Sequence, residues 1–250
     1  TPKKKKPIHS GAGRIAKIRM RTMSLYELGE SDGSVSLMDL FNDEMRSLID
    51  RKITLEYLID LTVRGGWPGN IGVDTDIVLD LNRMYMETCI EDAAGLDGKT
   101  RDTNKLRMTL NSLARNECTL ANINKIQNDV KEGTVSDKAI SHYIELFDRL
   151  FLLNNQPPYH PDYRSATRVG KSPKRHLTDP ALAIAALNLT PEKLLEDLRP
   201  FGFMFESMCE RDLDIYAQYE MGEDRNMTIV FTNTEEYNNE IYSQSIIIKM

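Results

Sequence analysis

The sequence predicts a mainly α protein with small β elements. Three observations lead there. Apolar residues recur at helical spacing over most of residues 36–218. The candidate helices open on Ser, Thr or Pro, as N-caps and first turns do. Alternation of period two shows only weakly, in the last 25 residues.

The elements follow in chain order. Residues 1–8 (TPKKKKPI) read as a loop, and a basic extended segment runs to Arg21. Ser36 is placed to cap SLMDLFNDEM, with Asp39 three residues on as an approximate capping box. Thr54 caps TLEYLIDLTVRG, and Gly65-Gly66 ends it. Asp76 to Ala94 has Ile77, Val78, Leu81, Met84, Tyr85 and Ile90 at helical spacing. Lys105 to Arg115 is a further helix. Thr119 is expected to cap TLANINKIQNDV, and Ser136 to cap SDKAISHYIELFDRLFLL, with Gly133-Thr134-Val135 as the turn between them. Three short helices with a tight turn before the third are the pattern of a helix-turn-helix. Leu150 to Leu153 and Asn154 to Tyr159 would open a wing, and Arg168 to Leu177 would return from it. Pro180 takes a first-turn position in PALAIAALN, Thr190-Pro191 opens a short helix, and a longer one is expected over 199–218, after Gly202. Met227–Phe231 and Ser245–Lys249 are the strand candidates.

Four segments result: 1–35, a helical subdomain over 36–100, a winged-helix domain over 101–165, and 166–250. A chain of 250 residues with 40% hydrophobic and 28% charged residues can bury real cores. No run reaches the roughly 18 apolar residues of a membrane span, and no apolar stretch follows the lysines as in a signal peptide. Cys89, Cys118 and Cys209 form no C-x-x-C pair, so they read as reduced thiols of a cytoplasmic protein.

The net charge of −6 conceals an asymmetry. Residues 1–24 hold eight Lys or Arg and no acid. Arg164, Arg168, Lys171, Lys174 and Arg175 follow one another with no acid between, whereas 206–240 hold ten acids against Arg211 and Arg225. Such a split marks either a nucleic-acid or partner surface, or ordinary solvated faces. On the first reading Arg168, Lys171, Lys174 and Arg175, on the wing and just past it, would meet the phosphates of duplex DNA.

Other motifs are weighed in the same way. Gly98-Lys99-Thr100 lacks the leading Gly and the preceding strand of a phosphate-binding loop, and Glu91, Asp92 and Asp97 would repel phosphate. Arg14, behind Gly11-Ala12-Gly13, could offer its guanidinium to a nucleotide phosphate or be a plain surface arginine. His9, His142, His160 and His176 show no i, i+4 pairing, so no metal site is expected. Tyr143, Phe147 and Phe151, spaced at four, are expected to form the core face of the third helix. That helix would show Asp137, Lys138 and His142 to solvent, a face short of positive charge for reading DNA. Glu206, Glu210, Asp212 and Asp214 are expected on a solvated helix face, with Mg²⁺ binding as the alternative.

Several phrases in fixed order resemble one family. They are HSGAGRIAKIRMRTMSLYELGESDGSVSLMDLF, VRGGWP, SLARNE, SDKAISHYIELFDRLFLLNNQPPY, SPKRHLTDPALA and FGFMFESMCERDL. Together, over roughly residues 9–218, they resemble the bacterial and archaeal AAA-type ATPases that carry a C-terminal domain of unknown function. The resemblance implies an N-terminal nucleotide-binding core that binds ATP and Mg²⁺, ending just before Thr1. Residues 1–35 would be its residual edge, with Arg14 as arginine finger or sensor. It further implies a winged helix, and an end resembling the PD-(D/E)xK restriction-endonuclease fold, with Glu206 matching its helix acid. The nearest match to the strand acid is Glu240, and Ile246–Lys249 lacks the acid of an E-x-K pair. The α/β nuclease-like end is therefore incomplete and expected to be inactive.

The expectation is a C-terminal interaction and regulatory portion of a larger ATPase, with no ATPase activity and no cofactor of its own, binding duplex DNA or a protein. Two alternatives stand beside it: a Mg²⁺-dependent nuclease using Glu206 and Glu240, and a purely structural protein-binding module. No membrane partner is expected.

Overall fold

The computed structural model describes residues 20–37, 39, 52–130, 134–158, 162, 164–220, 228–233 and 244–249. The fold is mainly helical, as the sequence predicts. Helix α1 (Leu55–Arg64) is capped by the Thr54 hydroxyl, which accepts from Tyr57 N at 3.2 Å, and ends at Gly65 with φ 64°. Helix α2 (Thr75–Gly95) follows a 3₁₀ turn at Pro68–Asn70. The candidate helix behind Ser36 lies outside the described residues except for Leu37 and Asp39.

Helices α3 (Thr103–Arg115), α4 (Ile123–Asp129) and α5 (Asp137–Arg149) come next, each capped by a short polar side chain: Asp102, Asn122 and Ser136. The cap of α4 is Asn122 and not the expected Thr119. Thr119 instead pairs with Arg175 in an antiparallel bridge, and its hydroxyl donates to Asn116 O at 2.8 Å. Two further bridges, Leu153↔Leu177 and Gln156↔Lys174, close on the other side of the same 174–177 stretch. Three short extended pieces therefore lie side by side next to a three-helix group.

The expected long third helix also stops early. Phe151 takes a left-handed φ of 59°, which ends α5 and turns its ring into solvent at 61% exposure. Tyr143 and Phe147 do line the core, but the third aromatic position is taken by Leu152 and Leu153, both buried. Phe151 is thus not the core residue that its spacing implied.

A four-residue helix α6 (Thr167–Gly170) precedes the 174–177 stretch. Helix α7 (Pro180–Ala186) is short and apolar, and its residues 180–185 are all buried. It packs against α1, α2, α3 and α9. A helix apolar all round must sit inside. Helix α8 (Pro191–Glu196) is capped by Thr190. Helix α9 (Leu198–Glu220) starts before Gly202, because Pro200 falls in the first turn, where no amide partner is lost. Strands β1 (Thr228–Asn233) and β2 (Gln244–Lys249) pair antiparallel from Thr228↔Lys249 to Asn233↔Gln244. One hydrophobic core runs from Ile59 through Ile90, Leu106, Phe147 and Leu182 to Met204. No described helix is long and apolar enough to cross a membrane.

Candidate functional site

The sequence phrases that lie far apart along the chain meet at one polar junction beside α9. The junction begins where α3 ends. Asn116 is the C-cap, Glu117 follows, and Cys118 adopts a left-handed φ of 62°. A non-glycine residue there is uncommon and costs on the order of 1 kcal/mol. Cys118 is held by its amide, which donates to Arg175 O at 2.7 Å, while Arg175 N donates to Thr119 O at 2.7 Å. That pairing sets Glu117 and Cys118 against Lys174 and His176.

Helix α9 presents Glu206, Ser207, Glu210 and Arg211 on one face, at i, i+1, i+4 and i+5. Glu117 accepts from Leu177 N at 2.9 Å and from Ser207 Oγ at 2.7 Å. His176 Nδ1 meets Glu117 Oε1 at 3.2 Å, and His176 Nε2 lies 2.7 Å from Glu210 Oε2. Lys174 Nζ meets Glu206 Oε1 at 2.5 Å and also pairs with Glu210 Oε1. Cys118 Sγ is 3.8 Å from Glu210 Oε1.

Burial alone would lower the pKa of His176, but the carboxylates of Glu117 and Glu210 outweigh it and lift the imidazole to about 9. Burial likewise opposes the charge on Lys174, and Glu210 with its neighbours overcomes it, so the ammonium titrates above its ordinary value. Burial pushes the Cys118 thiol up, and the Glu210 charge pushes the same way.

A second cluster adjoins the first. Asp179 is fully buried and caps α7 through Ala181 N at 3.0 Å. It also accepts from Gly66 N at 3.0 Å and Arg211 Nη1 at 2.7 Å. Arg211 turns its Nε and Nη2 to Asp212 Oδ1 at 2.8 and 2.6 Å, and Asp212 Oδ2 accepts from Leu25 N at 2.9 Å. The Gly65-Gly66 pair permits this approach. A Cβ on Gly65 would stand 2.5 Å from Asp179 Oδ1, and one on Gly66 would strike the Met23 carbonyl. SLARNE, VRGGWP, SPKRHLTDPALA and FGFMFESMCERDL thus touch in space through Glu117, Gly66, Lys174, His176, Asp179, Glu206, Glu210 and Arg211.

This placement bears on each residue singled out from the sequence. Arg14 and Glu240 lie outside the described residues, as does the side chain of Arg168. Lys171 is exposed. Lys174 and Arg175 are 7% and 6% exposed. Lys174 is committed to Glu206 and Glu210, and Arg175 Nε donates to Ala121 O at 2.9 Å. As placed, neither side chain presents its charge to a phosphate backbone.

The acidic cluster of α9 is likewise not a solvated face. Glu210 and Asp212 are buried and Glu206 is half-buried, because Lys174 and Arg211 neutralise them from within. The donor set Cys118, His176 and Glu210 arises from three separate elements, with ligand atoms within 4.8 Å of one another. Its donors stand far apart in the chain, at 118, 176 and 210, so no i, i+4 histidine pair marks it. The one signal in the sequence is His176 lying between Lys174 and Asp179 in a densely charged stretch just before the apolar run 180–187. Glu117 gave no signal.

Helix α2 adds a second feature. Val78, Leu79, Met86, Cys89, Ile90 and Ala93 are buried on its inner face. Ile77, Leu81 and Met84 lie on the opposite face and are exposed, Met84 by 67%. Tyr85, beside them, stacks tilted against Trp67 at 5.2 Å between ring centroids. Asp76, Asp80, Glu87, Glu91 and Asp92 are exposed on the same helix; Asp80 pairs with Arg83 and Glu87 with Arg107 of α3, which leaves an acidic excess.

A family described as Domain of unknown function (DUF8612) matches residues 55–193. No curated protein and no solved structure matches the chain.

Proposed function

The chain belongs to the DUF8612 family, and from there we propose that it is a protein-binding, regulatory portion of a larger cytoplasmic AAA-type ATPase, without ATPase activity of its own. The observation that carries the reading is the outer face of α2. A helix with one apolar face packs once; α2 has two, and the outer one is exposed among the described residues and flanked by acids. Charge complementarity names the partner as a basic amphipathic helix, which would lay its apolar side over Ile77, Leu81 and Met84 and its cations beside the acids.

A winged helix over 101–165 is part of the proposal. It is supported by α3, α4 and α5 with the three bridges that join 119, 153 and 156 to 174–177. Folds of this kind serve protein as well as DNA. The inward turn of Lys174 and Arg175 favours protein here. So does α5, whose exposed charges are Asp137, Glu145 and Asp148 against Lys138 and Arg149. ATP and Mg²⁺ belong, on this reading, to the parent core, with Arg14 at its edge. The nuclease-like end remains an inactive remnant, since Lys174 already occupies Glu206.

The test is binding to a designed helical peptide of lysines and leucines, with the leucines spaced three and four apart. The wild-type chain should bind it, and Leu81→Asp with Met84→Asp should abolish binding. Equal binding by the double variant, or Mg²⁺-dependent plasmid nicking lost in Glu206→Ala, would contradict the reading.

A further inference from the structure

We propose that Cys118, His176 and Glu210 form a binding site for one divalent transition-metal ion, zinc(II) by the chemistry of its donors. The proposal stands apart from the partner-binding reading, since it uses no residue of the α2 face.

The donors come from three separate elements: the end of α3, the 174–177 stretch and α9. All three side chains are buried and their ligand atoms lie within 4.8 Å of one another. Thiolate, imidazole and carboxylate together suit zinc, which takes sulfur, nitrogen and oxygen in a tetrahedral set.

Two buried atoms, His176 Nε2 and Glu210 Oε2, face each other inside the cluster as an ion pair that an entering metal ion would take over. They lie 2.7 Å apart. Their other atoms are already assigned. His176 Nδ1 is taken by Glu117, itself fixed by Leu177 N and Ser207 Oγ. Glu210 Oε1 is taken by Lys174. A histidine whose Nδ1–H is held by a carboxylate turns its Nε2 lone pair outward, and this carboxylate–histidine arrangement orients metal-binding imidazoles. The left-handed backbone of Cys118 sets its sulfur on the same point.

Three carboxylates, Glu117, Glu206 and Glu210, face two basic groups, Lys174 and His176, so the cluster has room for further positive charge. When Zn²⁺ enters, the Cys118 thiol proton and the His176 imidazolium proton leave to solvent. Two protons go out for one doubly charged ion, so the cluster's net charge is unchanged. Lys174 stays on Glu206 and on the far oxygen of Glu210.

The experiment uses the full chain, treated with chelator and titrated with Co²⁺. The expected result is one Co²⁺ per chain with a thiolate-to-cobalt charge-transfer band in the near ultraviolet, displaced by Zn²⁺. Cys118→Ser should remove the band and Cys209→Ser should keep it. Glu117→Gln, a positioning residue, should weaken binding about 10- to 100-fold while leaving the band in place. Absence of stoichiometric binding, or a band that persists in Cys118→Ser, overturns the proposal. Zinc K-edge absorption of the wild-type chain gives a readout free of any variant. One sulfur at about 2.3 Å supports the site, and a shell with no sulfur refutes it.

Discussion

Lys174 shows how far a charge run can mislead. In the sequence it stands among Arg164, Arg168, Lys171 and Arg175 with no acid nearby, which is how a phosphate-binding strip reads. Its partners, Glu206 and Glu210, come from more than thirty residues away, and only the fold brings them over. A linear run of charge says nothing about which side of a bridge each side chain takes; alternation along 174–177 sends neighbours to different places. Removing the cation from a buried pair leaves uncompensated carboxylates. Lys174→Met should therefore cost about 3–5 kcal/mol in urea unfolding, whereas Lys171→Met, on an exposed residue, should stay within about 0.5 kcal/mol. Asp129 gives a pH test. Burial raises its pKa, but hydrogen bonds from Asn116 at 2.6 Å and Ser112 at 3.1 Å, with the Arg115 charge, outweigh that and hold it below the ordinary carboxylate value. A lowered pKa gives stability that is present above the unfolded value of about 3.9 and lost as pH falls through the folded one. Asp129→Asn should flatten the loss of stability below about pH 4, as read from urea midpoints across the acid range.

Local signals served the elements well where caps and spacing agreed. Thr54, Ser136 and Thr190 cap the helices expected of them, and the final two strands fall within two residues of their expected ends. Two elements resisted. Thr119 has the chemistry of a cap, but a bridge to Arg175 claims its backbone, and Asn122 does the capping. The apolar run through Leu153 looked like one helix, yet the chain needs an extended piece to reach Leu177, and Phe151 makes the break. The spacing in α2 was correctly helical but could not say which face is buried, because apolar residues lie on both. The exposed second face is the observation on which the proposed docking site rests. Leu81→Asp with Met84→Asp should change stability by less than about 1 kcal/mol per substitution while abolishing peptide binding. Val78→Asp, on the inner face, should prevent folding, as circular dichroism would show.

At the scale of the molecule, α7 is the common neighbour. Its small residues let α1, α2, α3 and α9 close on it from separate directions, and Asp179 at its head ties Gly66 to Arg211. The sequence exposed α7 as apolar and Pro-initiated, but not as the centre, since centrality is a property of what surrounds it. The same holds for the polar junction. Its residues sit in phrases that stand out in the sequence, while their meeting depends on the bridges at 119, 153 and 156. If one core joins these parts, Leu182→Ala should destabilise the whole by about 2–5 kcal/mol and shift a single unfolding transition seen by tryptophan fluorescence and circular dichroism alike. The central claim is that the surface serves a protein partner and that Lys174 and Arg175, two of the four cations expected to meet DNA, work inside the molecule. Fluorescence anisotropy with duplex DNA across a range of salt tests it most directly. The account predicts no binding that rises as salt falls. Tight binding with a steep salt slope, lost on charge reversal at Lys174 and Arg175 in a chain that still folds, would contradict it.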